Sequence, residues 1–178
     1  MKAALEIPNS RVVVEAPAVD AAFQKLAAAV QPIVDEGSCV LLGVLLGGLV
    51  PLARLAGLLH GDFVMDACRV ARYGDALRGG VPQWVMPPKV NLADRHVVIV
   101  DDIYDEGVTL EFLLRHCEQA GAARVTTLVL VRKRHPRALA SVQPDLVGLE
   151  VGDDFVFGCG MDHRGHWRHL PDIRALKG

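Results

Sequence analysis

Apolar residues along the chain follow two distinct rhythms. Residues 39–45 (CVLLGVL), 97–100 (VVIV) and 124–131 (RVTTLVLV) form nearly continuous stretches, as strands buried on both faces of a parallel sheet do. Elsewhere the spacing becomes helical. Residues 19–34 place Phe23, Leu26, Val30 and Val34 on one stripe, with Asp20 as a candidate cap, Pro32 in the last turn, and Gly37 and Ser38 as the stop. Residues 49–59 read as a second helix. LEFLLRHCEQAG, beginning at Leu110, reads as a third, with Leu110, Leu113, Leu114 and Cys117 on its apolar side. A further strand is predicted over 63–73, and the alternation of strands with helices implies an α/β fold on a parallel sheet.

Two regions break the pattern. The glycines and prolines of residues 74–89 (GDALRGGVPQWVMPPK) forbid a long regular element, and a loop of that length in a compact domain is usually functional or disordered. It reads as a mobile lid in preference to an inert excursion, with Trp84 either covering a site or packing on a neighbouring subunit. From Arg132 onward the chain loosens into LVGLEV, FVFG and the polar MDHRGHWRHLPDIRALKG, enough for a small lobe beside the sheet but not a separate domain.

Composition narrows the choice of partners. The chain has 178 residues, 51% of them hydrophobic, and a formal charge of −2, which predicts a single domain with no basic face for nucleic acid. Cys39, Cys68, Cys117 and Cys159 form no CxxC pair and read as reduced, buried thiols in a cytoplasmic protein. The Met1 end lacks a long apolar core, so no signal peptide is expected. The apolar run at 39–59 is broken by glycines, a proline and Arg54, and is not a membrane span.

The chemistry concentrates in VVIVDDIYDEGVTL, residues 97–110. A turn holding Gly107, between a strand end and a helix start, aims backbone N–H groups and the positive helix end at one point, where an anion can sit. Ligands of open α/β sheets bind at such strand ends. The stretch has neither the lysine of a Walker loop nor the spaced glycines of a dinucleotide fingerprint. It sets Asp101, Asp102 and Asp105 beside the phosphate cradle instead, a layout suited to a phosphorylated sugar and its magnesium ion. A second strand, glycine turn (Leu46, Gly47, Gly48) and helix repeat the arrangement at the same sheet edge.

This stretch resembles the phosphoribosyl pyrophosphate (PRPP) motif of the type I phosphoribosyltransferases. With GVLLGG (43–48), RYG (72–74), the segment 133–136, PDLVGLEVGDDFVFG (144–158) and MDHRGHWRHLPDI (161–173), the match is closest to the hypoxanthine-guanine phosphoribosyltransferases. The resemblance implies one domain over 1–178, with a parallel-sheet core at about 20–132 flanked by helices. A small C-terminal hood would be formed mainly by 133–178 with the N-terminal segment. It implies a purine-salvage enzyme that converts hypoxanthine or guanine plus PRPP to IMP or GMP, uses Mg2+ and assembles as a homodimer or homotetramer.

The family's residue roles transfer as expectations. Asp101 and Asp102 would hold the ribose hydroxyls and help place magnesium, and Asp105 would be the general base near N7. The chain from Asp105 through Glu106, Gly107 and Val108 to the Thr109 hydroxyl would bind the 5-phosphate. Leu46 and Gly47, often joined by a non-proline cis bond in the family, and Arg168 would bind pyrophosphate. Lys133 would donate to the purine O6, Phe155 would stack on the ring, the Val156 backbone would read its pairing edge, and Asp162 would coordinate a second magnesium.

Three positions depart from the family pattern. Leu46 replaces a common Lys or Arg, Val108 a basic or polar residue, and Glu106 a Thr or Ser that helps the phosphate. Two like charges about 4 Å apart cost roughly 4 kcal/mol at an effective dielectric near 20, so Glu106 is expected to point outward. These departures leave a second class of reading, a PRPP- or nucleotide-sensing regulator with little turnover; a third, a xanthine-preferring enzyme, stays open because the family's contacts to the purine two-position come mainly from backbone. Lys133 could instead belong to a solvated basic run with Arg132 and Arg134. Either Phe155 or Phe157 could be the core ring, since the two share a strand face. His163, His166 and His169 have the spacing of a helix face, but Arg164, Gly165 and Arg168 interrupt it, which favours exposed hood histidines over zinc ligands.

Overall fold

At the middle of the protein lie the strands whose residues are most completely apolar. The computed structural model describes residues 7–73, 80–136 and 141–177. Strand β1 (Ser10–Val14) leads into helix α1 (Ala16–Asp35), β2 (Cys39–Val44), α2 (Leu49–Ala56), β3 (Phe63–Tyr73) and β4 (Val81–Met86). Then come β5 (His96–Tyr104), α3 (Val108–Gln119), β6 (Arg124–Lys133), β7 (Leu146–Val151), β8 (Val156–Phe157) and β9 (Ile173–Leu176). Every residue of β2 is buried, as are the first five of β5, and these two strands pair at the centre of a six-stranded sheet ordered β4-β3-β2-β5-β6-β7. All its pairings are parallel except β3 with β4.

Alternate side chains of one strand serve opposite layers. Leu41, Val98, Val100 and Leu128 pack with Leu26, Val30, Leu52 and Leu55 of α1 and α2. Their neighbours Val40, Leu42, Val97, Ile99 and Val129 pack with Leu110, Leu113 and Cys117 of α3. Burying each such side chain stabilises the fold by about 1.5–3 kcal/mol. A second, antiparallel sheet, β1-β9-β8, rests on Val19 and Phe23 of α1 and on Leu130 and Val131, and forms the hood.

The structure corrects several expectations. Helix α1 starts at Ala16 after Glu15, with Pro17 in its first turn, so Asp20 is inside the helix, where it pairs with Arg54 instead of capping. Strand β5 runs beyond the apolar stretch 97–100, through Asp101 and Asp102, to Tyr104. Strand β7 joins the large sheet through β6, so the sheet core extends past 132 to Val151. Residues 81–86, expected to lack regular structure, are an antiparallel edge strand. It tolerates Pro82 because an edge position leaves one side of the strand unbonded. The Trp84 ring packs within the chain, 5.0 Å from Phe112 and 4.7 Å from His116, both on α3. The lid reading for 74–79 concerns residues outside the described set. Among the described residues no helix is long and apolar enough to cross a membrane.

Asp66 ties β3 to the return of the chain. Its carboxylate accepts from the backbone N–H of Ala67 (2.8 Å), Lys89 (2.7 Å) and Val90 (2.9 Å). Burial works to raise this group, but the three N–H donors and Lys89 prevail and hold it below its ordinary value. Asp66→Ala should therefore cost about 2 kcal/mol in urea unfolding at neutral pH, the scale of charge-assisted bonds. Because the folded value is the lower one, this contribution is present above the unfolded pKa and is lost as pH falls through the folded one. The difference between wild type and variant should shrink in acid; a gap that stays constant down through the carboxylate range would remove the ionised group from the account.

Candidate active site

Gly107 makes the central turn. Its φ of +82° lies in the left-handed region that glycine adopts freely, and the turn lets β5 pass directly into α3. The first helical bond is Glu111 N–H to Gly107 O at 3.0 Å, which leaves the N–H groups of residues 108–110 outside the helix ladder. The turn borders a cleft of about 250 Å³ lined by Gly107, Thr109, Leu110, Asp101, Asp102, Asp105, Gly47 and, from β3, Val70 and Arg72. Glu106 does not line it: its carboxylate accepts from Arg72 Nη1 at 2.7 Å, the direction its charge requires. Val108 also lies outside the lining.

The second glycine turn forms the opposite wall. A cis peptide joins Leu45 to Leu46, one residue before the expected Leu46–Gly47 bond. The Leu46 side chain is 49% exposed and contributes no charge. A Cβ on Gly47 would overlap the Asp102 carboxylate, and one on Gly160 would overlap the Gly47 carbonyl, so acid pair, glycine turn and hood meet at van der Waals distance.

Asp101 and Asp102 are costly to ionise together. Burial, and then the neighbouring Asp102 charge, push Asp101 well above its ordinary value. Burial also raises Asp102, against the pull of Arg168, whose Nη1 is 4.0 Å from Asp102 Oδ2. Arg168 belongs chiefly to the hood, donating to Gly160 O at 2.6 Å and pairing with Asp162 at 2.5 Å. Asp162 also accepts from Gly165 N–H at 2.6 Å. Among the described residues no three His, Cys, Asp or Glu side chains converge as a metal cage. An adjacent carboxylate pair without a third protein ligand fits magnesium, which usually takes one or two carboxylates and fills its octahedron with substrate oxygens and water.

Asp105 stands between two clefts. Lys133 Nζ donates to its Oδ2 at 3.1 Å and His135 Nε2 to its Oδ1 at 2.5 Å, and the His135 side chain is only 2% exposed. Burial raises Asp105, but the Lys133 and His135 donors outweigh it and hold the carboxyl below its ordinary value. The basic-run alternative for Lys133 fails on alternation along β6. Arg132 and Arg134 both pair with Glu150 of β7, while Lys133 faces the other way, toward Asp105.

In the hood, Phe155 is 52% exposed with its ring edge-on to His163 at 5.6 Å, and Phe157 is fully buried, so Phe157 is the core ring. The Val156 side chain is buried and the residue pairs with Ala175, so only its main chain could meet a ligand. His163 and His166 bridge each other across a tight turn through Arg164 and Gly165, both at positive φ, and not along a helix face. Sequence reasoning assigned no role to two residues at the site, His135 and Arg72. Both lie inside quoted motifs, but their side chains reach the cleft only because β6 and β3 end beside β5 and β2.

Residues 13–164 match the phosphoribosyl transferase domain family. A curated relative, the hypoxanthine-guanine phosphoribosyltransferase of Bacillus subtilis (strain 168), is 32% identical over 137 residues, 76% of each chain. The enzyme of the same name from Streptococcus pneumoniae (strain ATCC BAA-255 / R6) is 29% identical over 174 residues, 97% of this chain and 96% of its own. Among solved structures, a hypoxanthine phosphoribosyltransferase from Staphylococcus aureus superposes with a TM-score of 0.88 at 23% identity, covering 94% of this chain and 91% of that one, a likeness of fold.

Proposed function

The chain belongs to the phosphoribosyl transferase family, and on that footing we propose that it is a purine-salvage enzyme joining PRPP to hypoxanthine or guanine, giving IMP or GMP and pyrophosphate. The C1–oxygen bond to pyrophosphate breaks, the C1–N9 bond forms, and the purine gives up a proton. The observation that carries this reading is Asp105, a carboxylate shared by the phosphate cleft and the neighbouring cleft that holds Lys133.

Asp101 and Asp102 hold the ribose hydroxyls, and the turn from Asp105 to Thr109 holds the 5-phosphate. The Leu46 and Gly47 backbone and Arg168 take pyrophosphate. Asp101 and Asp102 would hold one Mg2+ and Asp162 a second, and the bound ions would supply charge neutralisation to the leaving pyrophosphate. Phe155 offers its open face to the purine and the Val156 main chain its pairing edge. Lys133, 12% exposed, donates to O6. As that ammonium turns to the purine its hold on Asp105 weakens, so base binding itself raises the basicity of the group that takes the N7 proton. The protein is proposed to work in the cytoplasm, in keeping with four buried free thiols, and as a homodimer or homotetramer. The sensing reading loses part of its support, because the Glu106 charge is met by Arg72.

Incubation with PRPP, Mg2+ and each of hypoxanthine, guanine, xanthine and adenine tests the reading. Nucleotide should form with the 6-oxopurines and not with adenine, whose 6-amino group cannot accept from Lys133. Product with none of the four overturns the enzyme; product with xanthine in preference to the others assigns it to the third reading.

A further inference from the structure

We propose that Arg72 is a substrate-binding residue, its guanidinium seated by Glu106 so as to take the 5-phosphate of the ribose. The inference rests on the reading that the turn before α3 holds that phosphate, and adds a charged side chain to a cradle of backbone N–H groups and the Thr109 hydroxyl. Arg72 is the penultimate residue of β3 and lines the same cleft as Gly107 and Thr109. Among the described residues Glu106 is the one carboxylate it pairs with, through Nη1 alone. A guanidinium has five N–H donors in a planar fork, so Nε and Nη2 remain available to an anion arriving at Gly107.

The pair also makes sense of an acid in an anion site. Glu106 directly precedes Gly107, and a carboxylate there would repel the phosphate dianion if left alone. Paired with Arg72 it is neutral overall and acts as a strut that holds the guanidinium against the cleft. The other cations at the site stand by other parts of the substrate, Lys133 beside Asp105 and Arg168 beside Asp162. Leu46 brings no charge to the β2 turn, and Arg72 brings one from the adjacent strand.

Calorimetric titration of ribose 5-phosphate into wild type, Arg72→Ala, Arg72→Lys and the double variant Arg72→Ala/Glu106→Thr tests this. Loss of the guanidinium should weaken binding about tenfold or more, Lys should recover part of it, and the double variant should remain at least about threefold weak. The double variant separates a ligand from a counter-charge. If removing Glu106 together with Arg72 restores wild-type affinity, Arg72 serves only to neutralise its neighbour and the proposal is overturned. It is overturned equally by an Arg72→Ala variant within about twofold of wild type, or by a wild type that does not bind ribose 5-phosphate. Arg72→Gln carries the same test if the Ala variant does not fold. The probe has no base and no pyrophosphate, so an error about the purine leaves this result untouched.

Discussion

Asp105→Asn lowers turnover by about 10²-fold or more while PRPP affinity stays close to wild type, the range for removal of a positioned general base. The substitution keeps size and shape but cannot take a proton. It also meets two donors, Lys133 and His135, with only one good acceptor, so the amide oxygen must choose between them. The phosphate turn uses backbone N–H groups, the Thr109 hydroxyl and Arg72, none of which depends on that choice. Steady-state kcat against the KM for PRPP separates the two effects, and unchanged kcat would take Asp105 out of the proton transfer. The wild-type pH profile carries the same information. Before the purine binds, Asp105 is held below the ordinary carboxylate range, so kcat/KM for the purine should fall only as pH drops through that lowered value.

Adjacent glycines should give opposite phenotypes. Gly47→Ala places a methyl where the Asp102 carboxylate lies, and a carboxylate is the movable end of a side chain. The fold can yield by turning Asp102 aside, so stability should change by about 1 kcal/mol or less, but an acid expected to hold ribose is displaced and turnover should fall by about 10²-fold. At Gly48 the same methyl meets Val100 O at 2.6 Å, Val44 O at 2.7 Å and Val44 N at 2.9 Å, all backbone of the two central strands. Nothing there can rotate away, and Gly48→Ala should cost about 3 kcal/mol of stability. Urea unfolding and kcat measured on both variants check the pair. If Gly47→Ala unfolds the protein and Gly48→Ala spares it, the account of the loop is reversed.

The sheet was legible because strands buried on both faces are written as unbroken apolar runs, and 97–100, 124–131 and all of 39–45 but Leu45 lie within its central strands. Legibility failed where burial no longer dictates residue type. Strand β4 alternates exposed and half-buried residues under proline-rich flanks, and β1 precedes the first strong helical stripe; both owe their existence to a partner strand far along the chain. The acid–glycine turn could be read from its composition, since few other uses exist for that order of residues. The pairs Arg72–Glu106 and Asp105–His135 could not, because each joins residues about thirty positions apart, and only the sheet order makes them neighbours.

The two indoles of this chain sit in different parts of the fold, Trp84 against α3 and Trp167 in the hood near His166 and His169. Each indole therefore reports on a different element, one on the helix that begins at the anion turn and the other on the hood. With Trp167 replaced by Phe, the remaining fluorophore would watch the helix alone, and each element could be timed separately as ligands arrive.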